Sequence, residues 1–288
     1  MKHNLEFIVK EESSLFPFLQ HCFSGKPRNF VKRLLKHGQI SVDDGVCTDY
    51  SRVLREGQRV NINLNATAGN HEISLPVIYE DEEMIVINKP AGMLSISSDT
   101  EKERTAYHTV NDYVKKRNKS GRIFIVHRLD RETSGVMLLA KNERMKTALQ
   151  NNWNELVVKR EYLAVVEGKV QTPEGKITSW LKQTKTLFVY SGNKESGGKK
   201  AVTNYRVTKA GEKYSLLDIS LETGRKNQIR VHMKDIGHPV AGDKKYGAVT
   251  DPFGRLGLHA SELILKHPFT GQKMEFKAAA PVIFNKEF

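Results

Sequence analysis

The segment His127-Arg128-Leu129-Asp130-Arg131-Glu132-Thr133-Ser134-Gly135 concentrates the chemistry of the chain. An aspartate just ahead of a Thr-Ser-Gly turn can have its carboxylate held by nearby hydroxyls and backbone N–H groups. Arg128 and Arg131 on either side would favour the ionised form, which can attack an electrophilic carbon or take up a proton. The competing reading is an Asx-type turn that caps the following strand. A kinase catalytic loop is excluded, because its order is His-Arg-Asp and the chain has neither a glycine-rich phosphate loop nor Asp-Phe-Gly. A second concentration of charge lies nearer the N-terminus. Lys26, Arg28, Lys32, Arg33 and Lys36 fall in a stretch without an acidic residue. Arg28, Lys32 and Lys36 are four apart and line one helical face. Such cations suit a phosphate backbone, whose condensed counterions are released on contact; a solvated helix face is the alternative.

These groups need elements to hold them. Ser24–Asn29 reads as a turn with Asn29 as a cap, followed by a helix that points Val31, Leu34 and Leu35 inward and ends at Gly38. Gln39–Val42 reads as a strand, Asp43-Asp44-Gly45 as a tight turn and Gln58–Leu64 as a second strand. The small polar run Asn65 to Asn70 is the candidate linker. Beyond it, Met84–Asn88, Val136–Ala140, Tyr162–Val166 and Tyr214–Leu221 are strand-like. Val110, Tyr113 and Val114 mark one helix, and Met145, Ala148, Leu149 and Trp153 another. Strands outnumber helices without regular alternation, so a mixed sheet with helices packed on it is expected. Ser191–Lys200 reads as a mobile loop.

The chain has 288 residues, a net charge of +13 and a pI near 9.6. Its length suggests two domains, and 39% hydrophobic with 27% charged residues excludes wholesale disorder. No apolar run matches a membrane span or a signal-peptide core. Cys22 and Cys47 are too few for a disulfide framework or a cysteine-rich zinc site. The ten histidines lack ligand spacing, and there is no P-loop, G-x-G-x-x-G or H-E-x-x-H. A reduced, cytoplasmic protein with a polyanion partner is the expectation.

Two resemblances sharpen it. The basic helix, glycine, strand, turn and strand in Lys32-Arg-Leu-Leu-Lys-His-Gly-Gln-Ile-Ser-Val-Asp-Asp-Gly45 resemble the S4 RNA-binding domain. His127–Gly135 resembles the defining motif of the RluA-type RNA pseudouridine synthases, and four further segments match in order from about Leu75 to the C-terminus. They are Val86–Gly92, Arg160–Gly168, Leu221–His232, and a tail of Gly237–Asp243, Tyr246-Gly247, Leu258–Ala260 and His267-Pro268. The family usually has Thr-His after the Gly-Arg of the Leu221–His232 segment, where this chain has Lys226-Asn227. That departure is expected to alter a local hydrogen bond and to touch no catalytic residue.

The resemblance implies an α+β protein: an S4-like domain over 1–65, a linker over 66–74, and over 75–288 a catalytic domain with a mixed, mainly antiparallel sheet flanked by helices. It implies isomerisation of uridine in RNA to pseudouridine, with no cofactor and no metal. Asp130 would be the essential carboxylate, by attack at the ribose C1′ or by removal of the C2′ proton. Tyr162 matches the family tyrosine that lies against the base, although a core aromatic is the plainer alternative. Arg230 matches the basic residue that pairs with Asp130; a phosphate contact is the alternative. Arg128 matches the residue that fills the gap left by a flipped uridine, with a phosphate contact as its alternative. Arg28, Lys32, Arg33, Lys36 and Lys226 are the expected RNA contacts. Large-subunit ribosomal RNA is the favoured substrate. Transfer RNA is the alternative, and a non-catalytic RNA-binding assembly factor is the rival from another class. No membrane partner is expected, and the chain is expected to be a monomer.

Overall fold

The structure is a computed structural model that describes residues 4–36, 39–43, 45–63, 73–98, 101, 103–194 and 197–285. The chain divides into two compact units, Met1–Ser74 and Leu75–Phe288.

The first unit runs β1 (Asn4–Ile8), β2 (Ser13–Ser14), α1 (Leu15–Cys22), α2 (Arg28–Lys36), β3 (Ile40–Val42), β4 (Gly45–Val46), β5 (Val53–Leu54) and β6 (Arg59–Asn63). Four strands form an antiparallel sheet in the order β1-β6-β3-β4, and β2 pairs with β5. Helix α2 is strongly amphipathic. Val31, Leu34 and Leu35 are buried with Leu15 and Leu19 of α1 and with Ile40, Val60 and Ile62 of the sheet, while Arg28 and Lys32 stay exposed. The side chains of Arg33 and Lys36 lie outside the described residues, as do Gly38, Asp44 and the linker segment Asn65 to Asn70. Sequence patterning passes over β1 and α1. The strand shows its alternation only in Leu5 and Phe7, and α1 is apolar nearly all round with Pro17 in its first turn, where proline is tolerated.

The second unit runs β7 (Val77–Glu80), β8 (Met84–Lys89), α3 (Ala106–Arg117), β9 (Phe124–Ile125), β10 (Ser134–Ala140), α4 (Glu143–Asn151), α5 (Trp153–Leu156), β11 (Val157–Glu167), β12 (Glu174–Gln183), β13 (Val189–Gly192), β14 (Lys199–Ala210), β15 (Tyr214–Leu221), α6 (Gln228–Asp235), β16 (Leu258–Lys266) and β17 (Lys273–Lys277). One large sheet runs β13-β12-β14-β15-β11-β16-β10-β8-β7, with β17 added beside β16 and β9 beside β10. Among the described strand pairs only β10–β16 is parallel, so the sheet is mixed and mainly antiparallel. Every residue of β10 is buried, which is why it reads as a continuous apolar run rather than an alternation. Thr105 caps α3 by accepting from the His108 N–H, and Asn142 caps α4 by accepting from Met145.

Two local readings need correction. Trp153 does not continue the helix of Met145 and Leu149. Asn152 ends α4, with its backbone N–H and its side-chain amide both donating to the Ala148 carbonyl, and Trp153 begins a separate turn. The break brings the indole against His127, with ring centroids 5.2 Å apart. Ser191–Lys200 is also not all loop. Ser191 and Gly192 pair with Leu181 and Trp180, and Lys199 and Lys200 pair with the same two residues from the other side.

The parallel pairing of β10 with β16 sets the geometry of the site. It joins Ser134 to His259 and Gly135 to Ala260, immediately after the Asp130 loop. Gly135 has φ +114°, and a Cβ there would lie 2.1 Å from the Ala260 carbonyl oxygen. Only glycine allows the two backbones to close at this point.

Candidate active site

The loop carrying Asp130 is held in place by polar groups from several elements around it. Lys89, at the end of β8, is wholly buried, and its ammonium donates to the carbonyls of Pro90 and Met93 at 2.8 Å and of Arg131 at 3.1 Å. Burial pushes its pKa down to about 8, against the pull of Glu132 and Asp130. The Ser95 hydroxyl accepts from the Leu129 N–H at 3.0 Å and donates to the Leu129 carbonyl at 2.7 Å, so both polar groups of the residue before Asp130 are tied. His127 Nε2 accepts from the Leu138 N–H at 3.0 Å, which requires a neutral ring; burial, helped by Arg160, lowers its pKa to about 4. The Ser134 hydroxyl sits between Arg255 Nη2 at 2.7 Å and His259 Nδ1 at 2.8 Å.

The Asp130 carboxylate is therefore not held as its local sequence suggests. Among the described residues, the Thr133 and Ser134 hydroxyls make no hydrogen bond to it, and Ser134 is committed to Arg255 and His259. The turn is closed instead by the Thr133 N–H donating to the Asp130 carbonyl at 3.2 Å. The carboxylate meets groups from α6. Arg230 Nη1 lies 3.3 Å from Asp130 Oδ2. Arg230 is itself anchored by Asp243, to which Nε and Nη2 donate at 2.7 Å each, and its guanidinium lies 4.9 Å from the centre of the Tyr246 ring. Although burial opposes its charge, Asp243 and then Asp130 hold its pKa above that of an ordinary arginine. The side chain of Asp243 is 1% exposed and that of Asp130 29%, so Asp130 is the one of the two able to meet a substrate.

Asn227 is the second group against the carboxylate, and it corrects the expectation that Lys226-Asn227 touches no catalytic candidate. With its amide oxygen toward the Tyr246 hydroxyl at 2.9 Å, its nitrogen lies 2.8 Å from Asp130 Oδ2 and 3.3 Å from Oδ1. The opposite orientation would gain a 3.3 Å hydrogen bond from Arg230 but set an amide oxygen against both carboxylate oxygens, so the first is adopted.

Above Asp130 opens a cavity of about 600 Å³. Its only acidic lining residue is Asp130, against Arg128, Arg131, Arg160, Arg225 and Lys226. Tyr162 lines it from β11, where the register with β16 shifts between Glu161 and Tyr162, an irregularity of the kind that re-aims a side chain. Burial raises its pKa to about 12, so the phenol stays protonated at neutral pH. Arg128 is exposed at the rim and Leu129 is buried, as an extended segment requires. Lys226 is exposed and reaches Gln183 Oε1 at 3.4 Å. Tyr162, Arg128 and Lys226 thus share one cavity with Asp130, and Arg230 closes on Asp130 from the side. Arg28, Lys32, Arg33 and Lys36 belong to the other unit.

Several residues of this site carry no role in the sequence reading. Arg160 points into the cavity and donates to the Leu221 carbonyl at 3.2 Å. Gly224 makes room for it, since a Cβ there would lie 2.5 Å from Arg160 Nη1. Asp243, Tyr246, Ser95 and Asn227 were visible only as members of matching segments or not at all. Asp243 lies 13 residues from Arg230 and meets it through a turn, a pairing that no periodicity announces.

Residues 83–235 match the family model described as RNA pseudouridylate synthase. An uncharacterized RNA pseudouridine synthase of Bacillus subtilis is 30% identical over 96% of this chain and 94% of its own length. Ribosomal large subunit pseudouridine synthase D of Escherichia coli is 32% identical over 91% of this chain and 86% of its own. Among solved structures, human RNA pseudouridylate synthase domain containing 4 shares the fold with a TM-score of 0.60, at 22% identity, over 73% of this chain and 90% of that one. A likeness that spans the Asp130 loop, the sheet behind it and the α6 segment together places the chain in the RluA-type RNA pseudouridine synthase family.

Proposed function

We propose that the protein converts uridines of large-subunit ribosomal RNA to pseudouridine, with Asp130 as the catalytic carboxylate. The observation that carries this is the partly exposed Asp130 in a cavity whose other charged lining residues are all cations, with Arg230 against its carboxylate. In the reaction the N1–C1′ bond breaks, the uracil turns, C5 bonds to C1′, and the C5 proton leaves while N1 gains one. Either route through Asp130, attack at C1′ or removal of the C2′ proton, needs the carboxylate ionised, and the Arg230 guanidinium lies 3.3 Å from it as its counter-charge. Tyr162, a protonated phenol on the cavity wall, supplies a ring face for the base and an O–H donor. A stacked uridine must be flipped out to reach Asp130, and the planar guanidinium of Arg128 at the rim fits the gap it leaves. The ribosomal substrate is favoured because a relative similar over most of both chains is named for that RNA.

Pseudouridine mapping across total RNA tests this directly. Deleting the gene should remove one or a few pseudouridines from large-subunit ribosomal RNA, and an Asp130→Asn copy should not restore them. Losses confined to transfer RNA, or none at all, would overturn the assignment.

The first unit supplies affinity on this reading, as an S4-like module whose α2 tracks the phosphate backbone. Exchanging Arg28, Lys32 and Lys36 for glutamate should raise the half-saturating RNA concentration about tenfold or more and flatten its salt dependence. The saturated single-turnover rate should hold. If that rate collapsed while binding was kept, α2 would belong to the reacting centre.

A further inference from the structure

Asn227 occupies the N-cap position of α6 with φ +55°, yet its side chain makes no capping hydrogen bond. A side-chain cap at this place would stabilise the helix. The buried amide spans instead from the Tyr246 hydroxyl to both oxygens of Asp130. With the Tyr246 hydroxyl donating to the Asn227 oxygen, the amide nitrogen is turned toward Asp130. We infer that Asn227 is a positioning residue for the reaction: it holds one side of the Asp130 carboxylate while Arg230 holds the other, with Tyr246 setting the direction of the amide. This rests on the reading of Asp130 as catalytic.

An amide donor at this position adds a hydrogen bond to the carboxylate without adding a charge, and it does not titrate. The other charged or titratable groups around Asp130 are Arg230 from α6, with Asp243 behind it, Tyr162 and Arg160 from β11, Lys89 from β8, Arg128 and Arg131 of its own loop, and Arg225 and Lys226 on the cavity wall. A change in the acid side of the pH profile on altering Asn227 alone therefore reports the contact between Asn227 and Asp130.

Asn227→Asp is the discriminating variant. It keeps size, tolerance of positive φ and an acceptor for Tyr246, but sets a second carboxylate against the first. The acid limb of the single-turnover profile should move up by about one pH unit, a loss that approaches tenfold only well below the midpoint of that limb and is gone by pH 8.5. The half-saturating RNA concentration should change by less than about threefold. Asn227→His restores a donor and should keep the rate near pH 8 within about threefold, while adding an ionisation near neutrality. Carboxyl ¹³C titration of Asp-labelled protein, with Asp130 identified from the Asp130→Asn spectrum, reads the same contact without RNA. Its midpoint should move up in Asn227→Asp. A profile and a midpoint that superpose on the parent's would overturn the inference while leaving the enzyme assignment standing. A parent that moved no tritium from C5-labelled uridine in any RNA would overturn the assignment, and the ¹³C titration would still decide the contact. Should Asn227→Asp fail to fold, the Asn227→His profile decides: a missing second ionisation refutes the contact.

Discussion

Asp130→Asn is expected to abolish pseudouridine formation while leaving the fold and RNA binding in place. The amide has nearly the volume of the carboxylate but neither its charge nor its competence as nucleophile or base, and loss of a group that acts directly on the reacting atoms costs about 10⁴-fold or more. The fold should survive because Arg230 does not depend on Asp130. Its two 2.7 Å hydrogen bonds go to Asp243, and the 3.3 Å contact with Asp130 is the weaker one. Removing the charge therefore leaves no buried cation unpaired. Binding should hold or tighten slightly, since an ionised carboxylate beside a polyanion is electrostatically unfavourable. The assay is tritium release from C5-labelled uridine in RNA. A folded Asp130→Asn protein that releases tritium near the parent rate would remove Asp130 from the chemistry and revive a binding role.

What the sequence made legible was whatever depends on near neighbours. The apolar run that becomes β10, the amphipathic α2 and the glycine at 135 can all be read from periodicity or motif, because each answers to its own strand, face or turn. The motif matches likewise brought Tyr162, Arg128 and Lys226 to one cavity. The surroundings of Asp130 could not be read this way. Local rules point to Thr133 and Ser134 as its hydrogen-bond partners because those hydroxyls are close in sequence. The sheet brings Arg230 and Asn227 instead, about a hundred residues away, and turns Ser134 toward His259 through the parallel pairing of β10 with β16. Ser95 and Lys89 were hidden for the same reason. A serine in a loop and a lysine at a strand end carry no signal until the chain places their polar ends on the carbonyls of Leu129 and Arg131. The Trp153 reading failed on a different ground: its spacing fits α4, but Asn152 ends the helix and a tilted contact with the His127 ring takes the indole elsewhere.

Arg230 should show two separable losses, one of rate and one of stability, depending on what replaces it. In Arg230→Met the carboxylate of Asp243, 1% exposed, loses both hydrogen bonds of its fork and is left buried without its partner. Breaking a buried pair from one side costs about 3–5 kcal/mol, so this variant should unfold at markedly lower temperature or denaturant and be inactive for that reason. Arg230→Lys separates the effects. Its ammonium is a single point of charge, drawn first to the more buried Asp243, and it cannot bind that carboxylate with two parallel N–H groups while a third reaches Asp130. Stability should fall by only about 1–2 kcal/mol, a hydrogen bond's worth, while Asp130 loses the cation that orients and stabilises its charge. The saturated single-turnover rate should then drop about 10²- to 10³-fold, the range seen when one preorganised electrostatic contact is removed from a reacting centre. The half-saturating RNA concentration should be nearly unchanged, since Arg230 lies behind Asp130 and outside the cavity lining. Urea unfolding and single-turnover rates on the same preparations make the comparison. A lysine variant that loses affinity for RNA but turns over normally once saturated would make Arg230 a phosphate contact and leave Asp130 dependent on Asn227 alone.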